Sequence, residues 1–213
     1  MQPAPLTLQS LPLFPLNTVL FPGGVLPLQV FEVRYLNMIA TCHRTGAPFG
    51  VVALSSGHEV RTPTGPQEQL HTMGTLARIT QMERPQPGLL MVQCGGEQRF
   101  HIDTLSRLPH GLWVADVSLL PSDDTIAIPA DLRHAAESLR RVHAQLRTRT
   151  PQSNLPTDDD AAYNDCAWVA NRWCELLPLP LSTRQQLMAL GNPLVRLELV
   201  ADLLERQQIT PDH

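Results

Sequence analysis

Apolar and polar positions follow two different rhythms along this chain. From Leu11 to about Leu120 the apolar residues come in short contiguous or alternating runs that stop at glycine, proline or polar clusters. Residues 11–14, 25–30, 49–54, 73–82, 89–94, 98–103 and 112–120 have the length and punctuation of β-strands. Gly95-Gly96 separates two of these runs and predicts a tight hairpin, because both central positions of such a turn need positive φ. Seven short strands with punctuating turns predict a small barrel or a sandwich. One helix is expected inside this half, at 32–44, where Val33, Leu36, Ile39 and Ala40 recur at helical spacing and Gly46 supplies a stop. Residues 55–72 are polar and carry Pro63, Gly65 and Pro66, which predicts a long loop, either mobile or functional.

From Pro129 the period becomes helical. Leu132, Ala135, Leu139, Val142 and Leu146 form one stripe opposite Arg133, Arg140, Arg141 and Arg147. A polar segment at 148–160 ends in Asp158, Asp159 and Asp160, charges suited to the positive end of the following helix. In that helix Cys166, Val169, Trp173 and Leu176 step at helical intervals until Pro178 and Pro180 stop it. Ser182-Thr183-Arg184-Gln185 has the form of a capping box. Asn192-Pro193 supplies an N-cap and a first-turn proline for a last helix with Leu194, Leu197, Ala201 and Leu204 on its apolar face. The pattern therefore predicts an α+β protein: a β unit over 10–122 with one inserted helix, then a helical bundle over 123–208.

Composition narrows the chemistry. All 16 basic residues are arginine, so neither a Ser–Lys nucleophile–base pair nor the lysine of a G-x-x-x-x-G-K-[ST] phosphate loop can be built. Proline makes up 20 of 213 residues, about double the usual share, which favours interrupted strands and many loops. A net charge of −4 disfavours non-specific nucleic-acid binding. Cys42, Cys94, Cys166 and Cys174 form no C-x-x-C pair, in keeping with a reduced, cytoplasmic setting. The N-terminus lacks the positive start of a signal peptide, and no apolar run reaches ~18 residues without a proline or charge, so no membrane span is expected.

Candidate reactive groups are sparse. The eight histidines show no metal-ligand spacing, and His58-Glu59 offers only two ligands. His134 flanks the apolar stripe of its helix as a boundary residue, and Asp158–Asp160 read as a solvated helix start. Ser55-Ser56-Gly57 is not a G-x-S-x-G elbow. No catalytic residue, metal or cofactor is expected.

The stretch Leu11-Pro12-Leu13-Phe14-Pro15-Leu16-Asn17-Thr18-Val19-Leu20-Phe21-Pro22-Gly23-Gly24-Val25-Leu26-Pro27-Leu28 is more specific than any short motif. It resembles the start of the Lon-protease N-terminal domain family, a PUA-like β-barrel followed by helices. Phe31-Glu32-Val33-Arg34-Tyr35-Leu36, Phe49-Gly50-Val51-Val52, Gly74-Thr75-Leu76-Ala77-Arg78-Ile79 and Gly95-Gly96-Glu97-Gln98-Arg99-Phe100 continue the likeness. Leu176-Leu177-Pro178, Gln185-Gln186-Leu187-Met188 and Arg196-Leu197-Glu198 extend it into the helical half, so that it covers roughly 10–206.

The resemblance implies recognition of protein substrates, with ATPase and peptidase modules located elsewhere. The expected partner is unfolded or extended polypeptide, bound beside an apolar groove whose polar rim would include Phe31, Glu32, Arg34, Tyr35, Arg78 and Arg99. The competing reading has Glu32 and Arg34 pairing within the barrel to fix the helix entry. Arg78 and Arg99 carry the same ambiguity, inward with a carboxylate partner or outward toward a ligand. An RNA-binding alternative, by analogy with PUA domains, would use Arg133, Arg140, Arg141, Arg147 and Arg149. A further alternative is an adaptor whose leucine-rich helices contact another protein or a second copy.

Overall fold

Among the described residues the alternating half folds as six strands rather than seven. In the computed structural model, which describes residues 6–57, 68–149 and 159–206, these are β1 (Thr7–Leu16), β2 (Val25–Val30), β3 (Phe49–Ser56), β4 (Gln69–Gln86), β5 (Leu89–Arg107) and β6 (Trp113–Leu119). One helix, α1 (Val33–Thr45), enters between β2 and β3 and ends at Gly46. The strand count differs because Gly95-Gly96 is no turn. Both glycines lie inside β5, opposite Arg78 and Ala77 of β4. Glycine is required at 96 for space, since a Cβ there would stand 2.2 Å from the Phe21 carbonyl oxygen. The actual reversal is at Pro87-Gly88, where proline presets the first corner and Gly88 takes φ +80°. The proposed 55–72 loop is also shorter than expected, because β3 runs to Ser56 and β4 begins at Gln69. Residues 58–67 lie outside the described residues.

The strand order is β2-β5-β4-β3-β1-β6, and β5 also pairs with β6. A long β5 makes this closure possible: its first residues pair with β2, its last with β6, and most of its length with β4. β1 and β3 run parallel while the other pairs are antiparallel. The result is a closed ring with β2 attached on one flank. Two apolar clusters fill it. One gathers Phe14, Phe49, Val92 and Cys94 under Tyr35, Met38 and Ile39 of α1, and the other centres on Leu13, Phe100, Trp113 and Val117. The buried face of α1 is rotated from the expected one, so Val33 is exposed and Arg34, Tyr35, Met38, Ile39 and Cys42 point inward.

The chain divides into two compact units at 122/123. The second holds α2 (Arg133–Arg149), α3 (Cys166–Leu176), α4 (Leu181–Ala189) and α5 (Pro193–Arg206). α3 is its centre, with Cys166, Val169, Ala170, Trp173 and Cys174 all buried. Its N-cap is Asp165, whose carboxylate accepts from Trp168 N–H at 3.1 Å, and not the aspartate triplet. Asp160 instead pairs with Arg140, and Asp158 lies outside the described residues. Ser182 does not cap α4, because Pro180 holds the N-cap position and Arg184 N–H closes the first turn on the Pro180 carbonyl. Asn192 does cap α5, accepting from the Leu194 and Val195 N–H groups at 3.0 and 3.2 Å.

Arg196, 1% exposed, ties this unit together. It reaches the Leu187 and Leu190 carbonyls at the end of α4, the Asp123 carboxylate and the Asn171 amide oxygen. A buried guanidinium is tolerable only when its donors are satisfied in this way.

Candidate functional site

Among the described residues β2 is bonded to β5 on one side only. Just before it, the Gly24 carbonyl accepts from Gly96 N–H at 2.8 Å, so peptide groups at even positions face β5. Strand alternation then turns the backbone groups of Val25, Pro27 and Gln29 to the other edge. Pro27 fits this parity, since a proline facing β5 would leave a gap in the ladder. The side chains of Leu28 and Val30 enter the core, while Pro27 and Gln29 are exposed.

β1 presents a second open stretch. Its pairing with β6 ends at Leu13, whereas its pairing with β3 continues through Leu16. A groove of about 370 Å³ is lined by Phe14, Leu16 and Thr18, by Leu26–Val30 of β2, and by Phe31, Glu32 and Tyr35 at the entry to α1. Its inner wall is rigid because the Tyr35 ring stacks on Phe14 at 4.1 Å and 13°. Burial raises the Tyr35 pKa well above the ordinary phenol value, so the hydroxyl stays protonated. Phe31 projects at the rim, 55% exposed.

Arg34 lies behind this wall. Its guanidinium stacks on Tyr35 at 4.5 Å, donates to the Gly111 carbonyl at 2.9 Å and to Glu32 Oε2 at 3.0 Å, and pairs with Glu68 at 3.6 Å. Glu68 also accepts from Trp113 Nε1 at 2.6 Å and stands 3.8 Å from Arg107. Two arginines and two carboxylates thus fix α1 to the β5 and β6 ends of the barrel.

Of the six rim residues expected from the sequence, the structure brings together Phe31, Glu32 and Tyr35. Arg34 is buried on the far side of Tyr35, and Arg99 is buried in β5. Arg78 is exposed but paired with Glu97 and bonded to the Gly46 carbonyl, away from the groove lining. Sequence reasoning did not single out Phe14, Leu16, Leu26 and Leu28 as lining, although the proline-spaced apolar stretch that carries them was the most distinctive signal available. Nor did it foresee Glu68, which sits at the edge of a polar stretch with no periodicity.

Other reactive groups are quiet. Burial pushes the Cys94 and Cys174 thiols up to about 12, and Cys42 and Cys166 upward too. Ser118 Oγ donates to Asp103 and His101 Nδ1 contacts the same carboxylate, so the serine is not bonded to the imidazole and no nucleophile–base pair results. Among the described residues no group of three or more His, Cys, Asp or Glu side chains is placed to hold a metal ion, and no helix is long and apolar enough to cross a membrane. His58 and Glu59 lie outside the described residues. On α2, Arg140 stacks on Tyr163 at 4.5 Å and Arg141 donates to Ser138 Oγ, so part of the arginine cluster is engaged internally.

Residues 10–206 match the family of the ATP-dependent protease La (LON) substrate-binding domain. Lon protease 2 of Herpetosiphon aurantiacus is 30% identical over 94% of this chain, and Lon protease of Flavobacterium johnsoniae is 28% identical over 70% of it. The chain spans 24% and 18% of those relatives, about a quarter or less of their length. A crystal structure of a Lon N-terminal domain protein from Xanthomonas campestris has a TM-score of 0.70 and 30% identity, covering 92% of this chain and 98% of that one. The N-terminal domain of a Mycobacterium avium complex Lon protease shares the fold at 19% identity and a TM-score of 0.56.

Proposed function

This chain belongs to the Lon substrate-binding domain family, and from that premise we propose that it is a non-catalytic module that binds unfolded or extended polypeptide. The observation that carries the reading is the groove between β1 and β2. It offers apolar side chains as its walls and, along one margin, a strand edge that has no second strand partner among the described residues. An extended segment would lay alternate side chains between Phe14, Leu26 and Leu28 and take backbone hydrogen bonds from Val25 and Gln29. Pro27 removes one donor from that edge, so the apolar walls supply more of the affinity than the ladder does. Sequence selectivity on these terms is low. The chain supplies recognition, and any cleavage of the bound polypeptide needs catalytic groups other than those of these 213 residues.

A polypeptide is favoured over nucleic acid because, among the described residues, no basic side chain lines the groove. Phosphate-backbone binding depends on such cations.

Phe31 provides the test, since its ring is already half in solvent and its loss leaves the core untouched. Fully burying a phenylalanine side chain is worth about 1.5–3 kcal/mol, and covering the exposed half about 1 kcal/mol. Phe31→Ala is therefore expected to weaken binding of a fluorescent, permanently unfolded polypeptide about fivefold in an anisotropy titration, with an unchanged thermal melt. Undiminished binding by that variant would remove the groove as the site.

A further inference from the structure

We infer that the groove discriminates by charge, taking apolar segments that carry a lysine or arginine and rejecting acidic ones. This rests on the reading of the groove as a polypeptide site and specifies which polypeptides it takes.

The hydrogen-bonding character of the lining is lopsided. Among the described residues its charged side chain is Glu32, and no arginine or histidine contributes to it. The open edge of β2 adds three carbonyls, at Val25, Pro27 and Gln29, but only two N–H groups, because Pro27 has none. Glu32 is committed on one side only. Both contacts from Arg34, through Nε and Nη2, fall on Oε2 at 3.0 Å. Oε1 has no hydrogen bond or ion pair among the described residues. Glu32 is the N-cap residue of α1, yet its side chain makes no capping bond, so the helix does not use that oxygen either. The carboxylate is partly exposed, its side chain 24% accessible. Phe31, an exposed ring whose face attracts a guanidinium or ammonium, lines the same groove.

Opposing fields set the size of the effect. Arg34 sits against Glu32, and the N-terminus of α1 contributes about half a positive charge. Both reduce the negative potential at Oε1. The site is also open to water, so a pair formed there is worth what partly exposed pairs are worth, about threefold to fivefold in affinity. An acidic residue at the same place meets Glu32 with no cation in the lining to answer it, and loses a similar factor.

Three labelled peptides of one apolar sequence, differing at a single flanking position as lysine, norleucine or glutamate, test this against the full chain by fluorescence anisotropy. Lysine is expected to bind tightest, norleucine about threefold weaker and glutamate weaker again, with the spread shrinking at ~0.5 M salt. Glu32→Gln, which keeps an oxygen for Arg34, is expected to collapse the spread, so that the lysine and glutamate peptides bind alike. Phe31→Ala is expected to weaken all three peptides. Equal affinities, a preference for glutamate, or a spread that survives Glu32→Gln would overturn the charge selectivity while leaving the groove as a polypeptide site. Absence of binding by all three peptides, or indifference to Phe31→Ala, would instead remove the groove itself, and the selectivity with it.

Discussion

His143 shows at the scale of a single residue how burial makes a chemical property. It lies on α2 and is 1% exposed, with Nδ1 2.8 Å from the Tyr163 hydroxyl. Trp168 packs edge-on to its ring. Burial first, and then the charges of Arg147 and Arg172, lower its pKa from 6.5 to about 4. The unfolded chain therefore binds a proton between those values that the folded chain refuses. This contribution to stability is complete above pH about 6.5, declines as the pH falls, and stops changing below about 4. Urea midpoints measured across that window should fall with pH, and His143→Gln should flatten this part of the curve. An unaltered pH profile in the variant would show that His143 is not the group responsible. Nothing local in the sequence marks this histidine among the eight, since its neighbours Val142 and Leu146 are the apolar positions and are less buried than it is. Glu32 and Arg34 were legible as a pair from their proximity in sequence, but which of them faces the groove depends on Arg34 reaching Gly111, 77 positions away.

At the scale of elements, sequence periodicity located the strands and helices well and their ends poorly. β2 and α1 lie within a residue of expectation, because Val25–Val30 is bounded by glycine and α1 by a following glycine. The two-glycine link was misread for a physical reason. Glycine serves turns through positive φ and close approach through its missing Cβ, and the letters do not say which. The structure separates the two uses and makes a paired prediction. Gly96→Ala drives a Cβ to 2.2 Å from the Phe21 carbonyl oxygen, which cannot move away as a side-chain end could. It should cost about 1–3 kcal/mol or more. Gly95→Ala meets only Thr80 Cγ2 at 3.7 Å, an ordinary contact, and should change stability by less than about 0.5 kcal/mol. Chemical denaturation of both variants decides the matter. Equal destabilisation at the two positions would restore the hairpin.

For the whole molecule, the absence of lysine excludes the Ser–Lys and P-loop engines from this chain, and the family match covers a substrate-binding domain alone. Incubation of the purified chain with unfolded polypeptide and ATP is accordingly expected to release no new N-termini. Their appearance, at a rate that follows this chain through purification, would contradict the non-catalytic reading. The two compact units differ as the two rhythms of the sequence did, one built on a closed ring of strands and the other on α3.

The sequence by itself determined the α+β class, the change of period near residue 120, the family likeness and the excluded lysine chemistries. Each of these depends on composition, on short-range spacing or on a long contiguous motif. Tertiary structure alone decided that β5 is one strand serving three partners, that Arg34 and Arg99 are buried, and that Arg196 satisfies the end of α4. It also decided that Phe14, Leu28 and Phe31 border one groove with Glu32 at its rim. Those outcomes turn on which atoms lie within a few ångströms of one another across large separations in the chain. A local pattern can show that a residue is apolar or charged, but only the closed fold gives it a partner or leaves it without one.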